Sequence, residues 1–123
     1  MFHSPASSFD ARVAQGVAFL NDHINPNWWQ KVSLLTLDVG KHCSCPFAQA
    51  TGVDYDLAVT RCHITIDQEI DYGFFHSLFG DDVTQEDILR HYTQLTKAWS
   101  RAIIALEAGT YIGAITAKEA LPA

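Results

Sequence analysis

The sequence predicts an all-α protein, a small single-domain helical bundle with two long amphipathic helices, short connecting helices and at most a minor strand. Three observations predict it. Apolar residues recur at helical spacing near both ends of the chain. Residues that start and stop helices bracket these stretches and several shorter ones. The 123 residues are 48% apolar, enough for the core of one domain spanning 1–123, with 1–6 and 110–123 read as loose termini.

The first helix opens at Ser7 or Ser8, with Ser7 and Asp10 in the spacing of a capping box. Phe9, Val13, Val17, Leu20 and Ile24 then follow at intervals of four, four, three and four. Asn25-Pro26-Asn27 ends the helix, because proline disfavours helix at the residue before it. Trp28 and Trp29 follow in a short turn. Adjacent residues point apart on a helix, so one indole is expected to plug the core and the other to cover a neighbour or meet a partner. Val32, Leu34, Leu35 and Leu37 extend the apolar material to Asp38, and Gly40 breaks the chain.

Cys45-Pro46 reads as a helix start, with proline where its missing N–H does no harm. A short helix over Phe47 to Thr51 stops at Gly52. Asp54 to Arg61 is expected to be helical. His63-Ile64-Thr65-Ile66-Asp67 alternates polar and apolar residues, which suggests a short strand. Tyr72-Gly73-Phe74-Phe75 reads as a turn with aromatic cover.

Thr84 and Asp87 form a second capping pattern. Ile88, Tyr92, Leu95, Trp99, Ala102 and Leu106 then follow at four, three, four, three and four, with Leu89 and Ile103 widening the stripe. A helix over Thr84–Leu106 would run about 35 Å, and Gly109 ends it. The rhythm is heptad-like, so this helix offers a homodimer seam. It covers fewer than three heptads, which favours packing on the protein's own core.

No run of 18 apolar residues is present, so no membrane span is expected. The N-terminus lacks the basic and apolar regions of a secretory signal. Three cysteines do not suggest a disulfide framework, and a cytoplasmic setting with reduced thiols is expected.

The net charge is −6, unevenly spread. Nine acidic residues and one cation, Arg61, lie between Asp54 and Asp87, giving that stretch −8 and the rest +2. Such a balance disfavours a direct grip on nucleic-acid phosphates. It would attract a protein partner with a basic surface, and it also fits a solvated face that aids solubility. The candidate contacts are Asp67, Glu69, Asp71, Asp81 and Asp82, with Phe74 and Phe75 as apolar anchors.

The residues best suited to chemistry are His42-Cys43-Ser44-Cys45 and the later pair Cys62-His63. Cys43, Cys45, Cys62 and His63 are of the types that hold structural zinc. One residue separates the first two cysteines, where zinc motifs usually place two to four, and an adjacent Cys-His pair would need an awkward path to ligate one ion. No cofactor is therefore expected, zinc being the alternative. Cys45 at a helix N-terminus is also a candidate nucleophile with His42 or His63 as base, which would make a thiol-dependent enzyme. No phosphate-binding loop, nucleophile elbow or His-Glu-x-x-His motif is present. His91 reads as a surface or boundary residue.

Pro26-x-Trp28, Val32-x-Leu34-x-Thr36-Leu37-Asp38, Cys45-x-Phe47-x-Gln49 with Gly52, and Tyr92-x-x-Leu95-Thr96-x-Ala98-Trp99-x-x-x-Ile103 form a combined pattern. It resembles one in small uncharacterised proteins of actinobacteria and their bacteriophages, over roughly residues 10–104. Pro46 and Ala48 depart mildly from it. The resemblance implies a phage or mobile-element accessory protein, resident in the host cytoplasm if phage-encoded, and supplies no catalytic residue. Cys45, Gln49 and Gly52 match the pattern, whereas Cys43, Cys62 and His63 do not. Cys45, Gln49 and Gly52 then read as a helix start, a side chain bonding nearby backbone, and a helix stop. The expected role is non-enzymatic: protein–protein binding, for instance as an anti-CRISPR-like inhibitor presenting an acidic surface.

Overall fold

The computed structural model describes residues 9–41, 43–74 and 84–111. They form five α-helices and one 3-10 helix, with no strand among the described residues. The helices are α1 (Phe9–His23), α2 (Pro46–Thr51), α3 (Tyr55–Cys62), α4 (Ile66–Asp71) and α5 (Gln85–Ala108). The 3-10 helix spans Trp28–Lys31.

The two long helices, α1 and α5, pack against each other. Val13, Val17 and Leu20 of the expected α1 stripe are buried, joined by Ala14, Gly16 and Phe19. The apolar face is thus wider than the periodic residues alone. Gly16 marks the close approach. A Cβ there would lie 2.1 Å from the Tyr72 carbonyl oxygen and 2.8 Å from the Trp99 ring, so only glycine fits. Trp99 completes this joint by donating its indole N–H to the Gly73 carbonyl at 2.8 Å. The Ser7/Ser8 cap lies outside the described residues.

The stripe on α5 is used on the protein's own core. Leu95, Trp99, Ala102 and Ile103 are buried, which takes up the middle of the face that would have formed a dimer seam. Leu89 and Ile104 stay more than half exposed. Thr84 and Asp87 form the expected capping box, and Gly109 closes the helix at φ 74°. The helix ends at Ala108, two residues beyond the expected boundary.

The two adjacent tryptophans divide as the sequence suggests. Trp28 is fully buried, its indole N–H donating to Asn21 Oδ1 at 2.9 Å. Trp29 is half-buried against the core rim. Trp28 meets Trp99 edge-on at 5.9 Å, and Phe74 stacks between Trp99 and Phe47. This aromatic column is the centre of the core.

Pro46 opens α2 and Gly52 closes it at φ 79°. Gln49 of this helix reaches out to the preceding loop. Its carbonyl oxygen accepts from the Ser33 N–H at 2.6 Å, and its amide donates to the Ser44 carbonyl at 2.8 Å. One side chain thereby secures two ends of an irregular segment.

The short strand expected over 63–67 is absent. His63 adopts a left-handed conformation at φ 56° and caps α3. Thr65 then starts α4 in a capping box with Gln68. A lone alternating segment needs a neighbouring strand to satisfy its backbone. The capping box satisfies the same groups locally, so the helix wins.

Candidate functional site

The acidic stretch begins as a set of helix starts. Asp54 caps α3 by accepting from the Leu57 N–H, and Asp56 lies in its first turn. Asp67 and Glu69 lie in the first turn of α4. Negative side chains are favoured there by the unpaired N–H groups and the helix dipole. Part of the charge run is therefore explained by local folding.

One tertiary contact links these starts. The Tyr55 hydroxyl donates to Glu69 Oε1 at 2.5 Å, fastening the first residue of α3 to α4. Burial and the neighbouring Glu69 carboxylate push the Tyr55 hydroxyl well above the usual tyrosine range. It therefore stays protonated and keeps donating. The bond ties the start of α3, which carries Asp54 and Asp56, to Glu69; Asp67 and Asp71 lie two positions to either side of Glu69 on α4 and so point away from it. Asp54, Asp56 and Asp67 are exposed, and Glu69 and Asp71 are half-buried. Leu57 and Ile66, on the same two helices, are 40% and 53% exposed.

Beside the Tyr55–Glu69 bond lies a recess of about 180 Å³. Asp56 and Glu69 line it together with Tyr55, Phe74, Tyr92 and the backbone at Gly40. A second hollow, between α1 and α5, has Asp10 and Arg101 on its wall. Those two groups pair with each other at 2.9 Å on the surface, both largely exposed.

Of the expected contact residues, Asp67, Glu69 and Asp71 fall together on α4. Phe75, Asp81 and Asp82 lie outside the described residues. Phe74 is a correction. It is 1% exposed and stacked 4.5 Å from Phe47, so it is a core residue, not an anchor for a partner. The preceding Gly73, at φ 74°, turns the chain so that the ring enters the interior.

The cysteines take separate roles. Cys43 is exposed, Cys62 is half-buried and Cys45 is buried. Cys45 caps α2, its sulfur accepting from the Ala48 N–H at 3.3 Å. Burial pushes its thiol up to about 11, the opposite of what an activated nucleophile requires. His63 is exposed at the end of α3. Among the described residues no three His, Cys, Asp or Glu side chains are grouped to hold a metal ion. His91 is half-buried with its ring 6.1 Å from Phe9.

Sequence reasoning did not single out Tyr55, Tyr92 or Gly40 as site residues. Their chemistry gives no local signal, because the recess joins segments 14 to 52 positions apart only after folding. No helix among the described residues is long and apolar enough to cross a membrane. The chain matches no family profile, and no curated protein or solved structure is similar to it.

Proposed function

We propose that the protein acts by binding another protein, using the acidic face of α3 and α4 to occupy a basic surface. The observation that carries this reading is the Tyr55–Glu69 bond, which ties the start of α3 to the first turn of α4, the two helices on which the acidic residues from Asp54 to Asp71 lie. Arg61 is the only lysine or arginine between positions 54 and 71, against five carboxylates. Exposed Leu57 and Ile66 add apolar contact area among the charges. A polar ring around a few apolar side chains is the make-up of a protein-binding surface. The sequence resemblance gives the proposal its concrete form: a phage or mobile-element accessory protein that denies a basic nucleic-acid groove to its usual ligand.

The test is a triple charge reversal, Asp56→Lys with Asp67→Lys and Asp71→Lys. It spares the Asp54 cap and the Glu69 bond. Proteins captured from a bacterial lysate are compared between the parent and the variant, at low and high salt, with circular dichroism confirming an unchanged fold. A partner released by salt and lost from the variant supports the role. A partner held equally by both proteins, or insensitive to salt, refutes it.

A further inference from the structure

We propose that the hollow between α1 and α5 is a binding site for a small zwitterion with an aliphatic body, the chemical type of a free branched-chain α-amino acid such as leucine. The inference goes beyond the proposed binding role and does not depend on the acidic face of α3 and α4.

The hollow has a volume of about 240 Å³. Sites for drug-sized ligands hold about 300–1,000 Å³, so this one is scaled to a single amino acid. Its floor is apolar and comes from Val13 of α1 with Ala98 and Ala102 of α5, all three buried. One wall is built by the end of α5. Gly109, at φ 74°, reverses the chain, and the Thr110 N–H donates to the Ala105 carbonyl at 2.8 Å. That turn sets Tyr111 against the hollow. Burial and nearby Asp10 push the Tyr111 hydroxyl up to about 12, so it stays protonated and can donate a hydrogen bond.

The rim carries one carboxylate, Asp10, and one guanidinium, Arg101, with no other charged side chain among the described residues. Their bond uses Oδ1 and Nη2, which leaves Oδ2 and the other guanidinium N–H groups for a ligand. Asp10 is 70% exposed and Arg101 61%, and a pair so exposed contributes little to stability. Bridging or opening it is therefore cheap. A ligand of one charge meets attraction from one group and repulsion from the other. A zwitterion meets both with the right sign, its ammonium at Asp10 and its carboxylate at Arg101, whose N–H groups match carboxylate geometry. An α-amino acid holds its two charges on one carbon, which suits groups 2.9 Å apart. Its aliphatic side chain then loses water against the floor.

The experiment uses the whole protein, labelled with 15N, and four probes at neutral pH: leucine, glycine, 3-methylbutylamine and 4-methylpentanoate. Glycine lacks the aliphatic body, the amine lacks the carboxylate and the acid lacks the ammonium. Leucine is expected to shift the amides of Asp10, Arg101 and Tyr111 saturably, with a Kd of roughly 1 mM for so small a ligand. At ten times that concentration it should raise Tm by roughly 4 °C. The other three probes should each bind at least fivefold more weakly. Arg101→Gln should weaken leucine at least fivefold without weakening the amine, and Asp10→Asn should weaken leucine equally without weakening the acid. Ala105→Met fills the hollow from its wall and should abolish the leucine shifts. Circular dichroism confirms that each variant keeps its helices. Leucine shifts that fail to saturate, that glycine or either single-charge probe equals, or that survive Arg101→Gln would overturn the site. Binding that persists in Ala105→Met lies elsewhere on the surface and overturns it equally.

Discussion

Substituting Gly16 by alanine isolates the tightest joint in the fold. In an unconstrained helix the change would stabilise by about 1 kcal/mol, because alanine is the better helix former. Here the added methyl would sit 2.1 Å from the Tyr72 carbonyl and 2.8 Å from the Trp99 ring. The carbonyl belongs to the backbone and cannot rotate away, so α1 must separate from the Tyr72–Gly73 turn. Overpacking of this kind costs about 1–3 kcal/mol. The same movement stretches the Trp99–Gly73 hydrogen bond, a buried bond worth about 1–3 kcal/mol when one partner is left unsatisfied. Set against the helix gain, the net destabilisation is about 3 kcal/mol. For a domain of this size that lowers Tm by about 10–15 °C. Urea and thermal melts followed by circular dichroism measure it, with Gln15→Ala as the exposed neighbour control. A Gly16→Ala protein as stable as the parent would refute the close approach and the packing of α1 against α5 built on it.

Further expectations follow from the same geometry. Gln49→Ala removes the bonds to Ser33 and Ser44, and should cost about 1–3 kcal/mol in a urea melt while faster hydrogen exchange appears around 33–45. Thr84→Ala removes the α5 cap and should cost about 1 kcal/mol, whereas Thr84→Ser should be nearly neutral. In the native protein an alkylating probe near pH 8 should label exposed Cys43 well before buried Cys45, and equal rates would contradict the cap. Because the Cys45 thiol is raised from 9.0 to about 11, the unfolded chain loses that proton first. Its contribution to stability is complete below pH 9 and disappears as pH climbs toward 11, with buried Tyr55 acting in the same direction at still higher pH. A urea midpoint that stays flat or rises between pH 8.5 and 10.5 would contradict the burial of both groups.

Where the sequence speaks through local chemistry, it is readable. Pro46 and Gly52 bracket α2, and Thr84 with Asp87 opens α5, because caps and stops act on backbone groups only a few residues away. The stripes on α1 and α5 are readable for a similar reason: each helix must bury one face. Reading fails where two local signals compete. Ile64 and Ile66 alternate like a strand, yet Thr65 and Gln68 stand at capping-box spacing, and the box prevails in the absence of a pairing strand among the described residues. It also fails where an apolar run has no period. Leu37 is buried while nearby Leu35 is 98% exposed, and nothing within the run distinguishes them. In the candidate site the charge run is readable, but the tie between Tyr55 and Glu69 depends on a contact across 14 positions.

The edge-on meeting of Trp28 and Trp99, at 5.9 Å and 84°, gives the molecule an optical ruler. Indoles that close are expected to couple their electronic transitions, and a circular-dichroism couplet from the pair would vanish once they part. Helix content and interior order can therefore be followed by separate signals on the same sample. A collapsed state that keeps its helices but loses its interlocked interior would retain the amide bands and lose the couplet. Variants of the binding face can be screened with that ruler for an intact interior, with no dye and no added label.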